Sequence, residues 1–506
     1  MIPKHRTWLT ALAVVIAMST LLIPVSAQQK YRTTEEIWGA KFGYTSYKFR
    51  VRADKASGLV GLRRWNQIAI DASGLDHTPP SPGEDRAFGE QLGPCRASRA
   101  IAIVQIAVFE ALNAVVKKYD SLVGMYPASK KTNRDVAIAQ AAHDTLVVLF
   151  PSQKGLFDMK LNEDLAAAPN NVKKADAILV GRTAALAALG LCYNDGSKHA
   201  EQLMNTEYIP SDQPGFWRQD PISLIPLALG SQWNTVRPLV LESADQFRLP
   251  PPPAIDSVEY ATAYNEAKRL GGDGIVTPTE RTEEQTHIGT FWAYDGTPSL
   301  CAPPRLYNQI AMQIADQRAT NDIDTARMLA VVNLALAEAA IAAWDSKFYY
   351  NYWRPVTAIR EADAGTGPSG LGDNNPATEG DPTFTPLGAP ASNLSGPNFT
   401  PPFPAYPSGH ASFGGALFQT LRKIYGTDNI AFTFVSDELN GETRDSEGNV
   451  RPLLPRSFTS LSHAELENAQ SRVYLGIHWW FDEAGGITLG NNVANYVYDR
   501  VFQPVR

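Results

Sequence analysis

The run DIDTARMLAVVNLALAEAAIAAWDSKFYYNYW, residues 322–353, limits the fold more than any other stretch. It is the longest helical pattern in the chain, and a helix apolar on nearly every side needs a protein interior around it. Asp322 and Asp324 are placed to cap and charge its start. Arg354-Pro355 is placed to end it, because a residue before proline avoids helical backbone angles.

Other stretches repeat the pattern. SRAIAIVQIAVFEALNAVVKKY (98–119) is mostly apolar with a basic end and suits a buried helix. Residues 135–150, 172–190 and 257–272 read as further helices, while alternating strand patterns are scarce. The expectation is an all-α protein of packed bundles with long ordered loops. Two segments are loop-like: 209–255, rich in Pro and polar residues, and 363–407, rich in Gly, Pro, Asn and Thr. A connection as long as the second is usually functional or disordered, and it runs straight into PAYPSGHASFGGALF (404–418). No repeat at a fixed period is visible.

Lys4 and Arg6, an apolar run from about Trp8 to Ile23, and Val25-Ser26-Ala27 read as an export leader with a small-residue cleavage site. The expected organisation is therefore a leader at 1–27, an amino-terminal helical region at 28–255 and a carboxy-terminal catalytic helical domain at 256–506. The mature protein is expected in the periplasm or outside the cell. No segment after Ile23 reads as a membrane span of full length and purity. A net charge of −7 gives no electrostatic case for a nucleic-acid partner. Three scattered cysteines, Cys95, Cys192 and Cys301, form neither a disulfide framework nor a zinc signature.

Chemistry concentrates in three segments. In Pro407-Ser408-Gly409-His410 a good N-cap precedes an apolar helix, and the free amides of a first turn make an anion site. Gly409 lets an anion approach the backbone closely, and His410 would sit beside it with a titratable nitrogen. Lys347 and Arg354 lie seven residues apart, about two helical turns, so both can face one side. In SRVYLGIHWWFD (471–482), Arg472 and His478 flank Gly476. Together these supply three permanent cations, a hydroxyl, helix-start amides and two histidines. No carboxylate cluster suggests Mg²⁺ or Ca²⁺, and no Cys/His spacing suits zinc. The set suits a compact, highly charged oxyanion such as phosphate or vanadate. One histidine could bond its central atom while the other moves protons.

The order KFYYNYWRP (347–355), PSGH (407–410) and SRVYLGIH (471–478) resembles the signature of the type 2 phosphatidic acid phosphatase and vanadium haloperoxidase superfamily. PPFPAYPSGHASFGGALFQ (401–419), FWAYDG (291–296), PPRLYNQI (303–310) and FVSDELNG (434–441) are similar to segments of vanadium-dependent chloroperoxidases, a likeness covering roughly residues 280–482. The resemblance implies two helical bundles with the anion site at the end of the carboxy-terminal one. It implies a vanadate cofactor bonded axially by His478, the metal ligand. Lys347, Arg354 and Arg472, with Ser408 and the Gly409 amide, would hold the equatorial oxygens. His410 would be the acid–base group, and Asp295 would orient Arg472. Trp344 and Phe403 would line the halide side, where Phe at 403 is the chloroperoxidase-like choice and His the bromoperoxidase-like one. Asp482 reads as a cap for the next helix. The implied reaction is oxidation of halide by hydrogen peroxide to hypohalous acid, with a small organic acceptor as an optional further substrate.

Two other readings use the same residues. An exported acid phosphatase would attack a phosphate ester with His478 to give a phosphohistidine, with His410 protonating the leaving alcohol. A scaffold that binds an anion without turnover would have no use for His410 as a proton shuttle.

Overall fold

The computed structural model describes residues 31–44, 56 and 58–505. The expected leader at 1–27 lies outside the described residues. The described chain is built almost wholly of helices. α1 (Thr34–Trp38), α2 (Gly61–Asp76), α3 (Gly93–Val116), α4 (Arg134–Leu149), α5 (Lys154–Ala167) and α6 (Val172–Leu191) come first. After a long irregular stretch come α7 (Val258–Gly271), α8 (Glu283–Phe291), α9 (Pro303–Gln317), α10 (Asp322–Tyr350) and α11 (Pro355–Arg360). A second irregular stretch leads to α12 (Gly409–Tyr425), α13 (Leu461–Tyr474) and α14 (Trp480–Tyr498). Among the described residues strands are confined to two short antiparallel pairs. β1 (Gln202–Leu203) pairs with β2 (Leu227–Ala228), and β3 (Phe432–Phe434) with β4 (Arg456–Phe458).

The helices form two packed groups. α3, α4 and α6 pack on one another, with α2 and α5 beside α4. α10, α12 and α14 pack together, with α13 against α12. α10 also packs along α3, so it belongs to both groups, and one hydrophobic core runs from Ala56 to Phe502. The expected division at 255/256 falls in the loop just before α7. Where α14 crosses α12 the backbones nearly touch. A Cβ on Gly490 would stand 2.1 Å from the Ser412 carbonyl oxygen, so no other residue fits without moving a helix.

α3 and α10 are both long and apolar enough to cross a membrane, contrary to the expectation that no such segment follows the leader. Their most apolar windows are 89% and 100% buried inside the fold, so that apolarity serves the core.

The start and end of α10 differ from the expectation in an instructive way. Its cap is Asn321, whose side chain accepts from the Asp324 amide at 3.2 Å; Asp322 and Asp324 occupy the first turn instead. Its end comes before Arg354-Pro355, at Asn351, which takes left-handed angles (φ 51°) and donates its N–H to Lys347 O at 2.8 Å. Lys347 and Arg354 therefore do not share one helix face. Arg354 is the extended residue preceding α11, in keeping with its place before proline.

The two loop-like segments are pinned by buried carboxylates. Glu338 on α10 accepts the backbone N–H groups of Leu239, Val240 and Leu241 at 2.8, 3.3 and 2.8 Å. Asp345 holds Arg248 through two bonds of 2.7 and 2.8 Å. Asp220 accepts from Thr400 N at 2.9 Å and so ties the first loop to the second. Cys95, Cys192 and Cys301 are all buried, and none is in a disulfide.

Candidate functional site

All ten residues singled out in the sequence meet at one end of the α10–α12–α14 group. Lys347 reaches it from the last turn of α10, Arg354 from the start of α11, and Ser408, Gly409 and His410 from the start of α12. Arg472 comes from the last turn of α13, and His478 from the link between α13 and α14. That link depends on Gly476, which has φ 69° and packs so closely on α7 that a Cβ would lie 2.5 Å from Gly271 O. Only glycine turns the chain there and brings Arg472 and His478 to the same side.

His478 is almost fully buried. Its Nδ1 lies 2.7 Å from Asp482 Oδ2, and its Nε2 lies 2.9 Å from Arg354 Nη1. Arginine can only donate, so Nε2 carries the lone pair and Nδ1 the proton. Burial, then the charges of Arg354, Lys347 and Arg472, hold its pKa well below the ordinary imidazole value. Asp482 also accepts from Trp479 N at 3.1 Å, so it is the helix cap expected and the orienting group for His478 as well. Burial pushes its carboxyl up to about 7.

Arg354 donates from Nε to Phe403 O (3.0 Å) and from Nη1 to Ile477 O (2.8 Å), while its buried Nη2 has no protein partner. Arg472 donates from Nη2 to Asp295 Oδ1 (2.6 Å), and its buried Nε and Nη1 have no protein partner. Lys347 donates to the carbonyls of Pro404 (2.8 Å) and Ala405 (2.9 Å) and lies over the rings of Phe403 and Trp344, 5.1 and 5.5 Å from their centroids. Burial, then the charge of Arg354, lowers the Lys347 pKa far below its ordinary value, and burial pushes that of Arg354 down to about 9. Three buried basic side chains thus share two close carboxylates, Asp295 and Asp482, whose own pKa values are raised by burial. Such a cluster is costly unless an anion joins it.

His410 points its Nε2 at Ala293 O, 2.5 Å away. Nε2 is therefore the donor and Nδ1 the lone-pair nitrogen. Burial, then Arg472, keeps the ring neutral far below the usual pKa. Tyr307 Oη and Asn468 Nδ2 both donate to the His410 carbonyl, at 3.0 and 2.9 Å, which fixes the start of α12. Ser408 caps α12 through Ala411 N (3.3 Å), and its own amide is held by Asp482 O (2.9 Å). A Cβ on Gly409 would press to 3.2 Å of the Trp344 ring.

The cage opens into a pocket. Asp295, His410, Arg472 and His478 line its polar end, with Trp344 and Phe403 beside them, their ring centroids 4.9 Å apart. Sequence reasoning missed the far wall entirely. Ile37, Trp38, Leu92, Leu227 and Leu229 come from the amino-terminal region, for which no motif was legible. It also missed the His478–Asp482 contact, although the four-residue spacing at a helix start was a readable sign. Among the described residues no group of three or more His, Cys, Asp or Glu could hold a metal ion. A histidine with cations suits the central atom of an oxyanion; it does not suit a bare divalent cation.

Residues 327–506 match the family model described as the VCPO second helical-bundle domain. This segment is similar to the second helical bundle of that family. Vanadium chloroperoxidase of Curvularia inaequalis is 39% identical to the chain over 264 residues, covering 46% of this chain and 41% of the relative. The chain thus spans about two-fifths of the length of that curated relative. The crystal structure of a bacterial vanadium-dependent iodoperoxidase superposes with a TM-score of 0.68 at 24% identity, covering 87% of this chain and 97% of that one. A holo-type bacterial vanadium-dependent chloroperoxidase gives a TM-score of 0.57 at 19% identity, covering 81% and 92%. The chain therefore has the vanadium-haloperoxidase fold, and the VCPO-type domain contains Trp344 and all three signature segments. Asp295 lies outside it.

Proposed function

We propose that this chain is a vanadate-dependent haloperoxidase that oxidises halide with hydrogen peroxide to hypohalous acid. The observation that carries the reading is the set of buried, unpartnered guanidinium N–H groups, Arg354 Nη2 and Arg472 Nε and Nη1, beside the neutral His478 Nε2. These residues fit a tetrahedral oxyanion: donors for its oxygens and one lone pair for its central atom. Arg354, Arg472 and Lys347, with Ser408 and the Gly409 amide, would hold the oxygens of vanadate, and His478 Nε2 its vanadium. When bound, vanadate supplies a Lewis-acid centre that activates hydrogen peroxide toward two-electron oxidation of halide.

The chain's own groups do the rest. Asp482 keeps the His478 proton on Nδ1, so Nε2 always presents its lone pair. Asp295 fixes the plane of the Arg472 guanidinium through the 2.6 Å bond. His410 engages Ala293 O through Nε2, which leaves Nδ1 as the nitrogen that would exchange a proton with peroxide and product. Trp344 and Phe403 shield Lys347 from bulk water, which strengthens its interaction with any anion beside it. Export through the leader at 1–27 belongs to the same proposal and is tested by amino-terminal sequencing of the released protein.

The test is reconstitution of the purified chain with orthovanadate, followed by an assay of bromide- and peroxide-dependent halogenation and by elemental analysis. Activity with retained vanadium is expected. Absence of both, with a phosphohistidine trapped from a generic phosphate ester, would make the protein a phosphatase.

A further inference from the structure

α6 packs its small residues inward and turns large apolar ones to solvent. Ala177, Gly181, Ala184, Ala185 and Ala188 are buried, where the helix packs on α3 and α4. A Cβ on Gly181 would stand 2.6 Å from Ala137 O, so α6 lies too close to α4 for bulk on that face. The outer face carries Val172, Leu179 and Leu186, which are 74%, 61% and 55% exposed, and Tyr193 just past the helix end is 58% exposed. These four recur every seven residues, so they form one stripe along the helix. The exposed positions between them, Ala175 and Thr183, are small, and Thr183 turns its hydroxyl back to Leu179 O at 2.8 Å. Exposed apolar residues standing singly are ordinary, whereas a row of them marks an interaction surface.

We infer that this face docks on the same face of a second copy of the chain, with the two α6 helices antiparallel and a two-fold axis at Leu179. Such an axis brings residues equally far from Leu179, on opposite sides of it, to the same level. Leu179 then meets Leu179 of the partner subunit. Val172 comes level with Leu186 of the partner subunit, and Ala175 with Thr183 of the partner subunit. Asp176 comes level with Arg182 of the partner subunit, and the symmetry makes that pair twice. Asp176 and Arg182 are both exposed, and among the described residues neither has an ion-pair partner. A second copy supplies one to each. Burying the leucines favours association, while the charge pairs at the rim fix the register. A helix that lies on a lipid surface carries cations beside its apolar face, and the acid in this row fits a second copy better. The contact uses no residue of the cage and goes beyond the proposed reaction.

The test is sedimentation velocity of the full-length chain over a range of concentrations, which should show a reversible monomer–dimer equilibrium. Leu179→Arg sets two like charges face to face at the axis and should weaken dimerisation by about tenfold or more. Asp176→Arg and Arg182→Asp each turn two attractive pairs into repulsive ones and should each weaken it by roughly fivefold. The double variant D176R/R182D restores opposite charges at every pair and should dimerise like the wild type. All three residues are exposed, so the variants should keep the wild-type circular dichroism spectrum. A monomer at every concentration, or a dimer indifferent to these substitutions, would overturn the inference. Single charge reversals that weaken the dimer without rescue by the double variant would overturn the register, because Asp176 and Arg182 would not be meeting each other. A monomer that co-sediments with phosphatidylglycerol vesicles, and loses that binding in Leu179→Arg, would assign the face to a lipid surface and overturn the second copy.

Discussion

Arg354 Nη1 stands 2.9 Å from His478 Nε2, and on the other side of the same ring Nδ1 is held 2.7 Å from Asp482. A group that can only donate faces one nitrogen and a carboxylate faces the other, so the ring has one tautomer and one orientation. A histidine set this way is a ligand with its lone pair aimed into a cationic cage.

Asp482→Ala should therefore damage the cage without touching any group that would contact vanadate. Loss of a partner that orients a ligating histidine typically costs 10- to 100-fold in affinity. We expect orthovanadate affinity, measured by the concentration needed to restore activity to dialysed protein, to weaken by roughly that factor. The helix cap is lost as well, so urea unfolding should show about 1 kcal/mol of destabilisation.

His410→Ala should separate binding from turnover. The ring is neutral and its Nδ1 is free of the Ala293 bond that engages Nε2. We expect vanadium content after dialysis to stay near that of the wild type, and turnover at saturating halide to fall by roughly 10²- to 10⁴-fold, the usual share of a general acid–base.

The signature glycine before His478 is a structural requirement, and its replacement tests the packing account. Gly476→Ala would put a methyl in left-handed backbone and 2.5 Å from Gly271 O. We expect a loss of roughly 1–3 kcal/mol in urea unfolding, together with weaker vanadate retention, because the same turn aims Arg472 and His478.

How far the sequence could be read differs along the chain. Arg354, His410, Arg472 and His478 were legible because each sits near a helix end marked by Pro, Gly or Ser, and those punctuators act locally. The break at Asn351 was not legible: an asparagine that takes left-handed angles looks like any polar residue inside a helical pattern. Arg354 still reaches the cage, from the following helix and not from two turns along α10. The apolar wall was invisible for a different reason. Trp38, Leu229 and Phe399 become neighbours only through tertiary contacts across hundreds of residues, which no period or motif records. The bundle reading was accessible because the helical runs are long and strongly apolar. The sharing of α10 between the two groups of helices was not, since an all-round apolar helix does not say which neighbours cover it.

A pH prediction follows from His143, which sits on α4 and reaches Asp158 on α5. Burial opposes its charge, but Asp144 at 2.7 Å and Asp158 at 2.9 Å outweigh that and raise its pKa. A raised folded pKa means the stabilisation is fully present below the unfolded value of about 6.5 and is lost as pH rises through the folded value. His143→Gln should therefore cost up to about 1 kcal/mol at pH 5.5 and much less at pH 9, compared by thermal unfolding at the two pH values.

The central claim is that Lys347, Arg354 and Arg472 cage one oxyanion whose central atom bonds His478. Elemental analysis of orthovanadate-treated protein after exhaustive dialysis tests it most directly, with wild type and His478→Ala run side by side. Equimolar vanadium in the wild type and almost none in folded His478→Ala is the predicted result. Vanadium retained equally by both, or by neither, would contradict it.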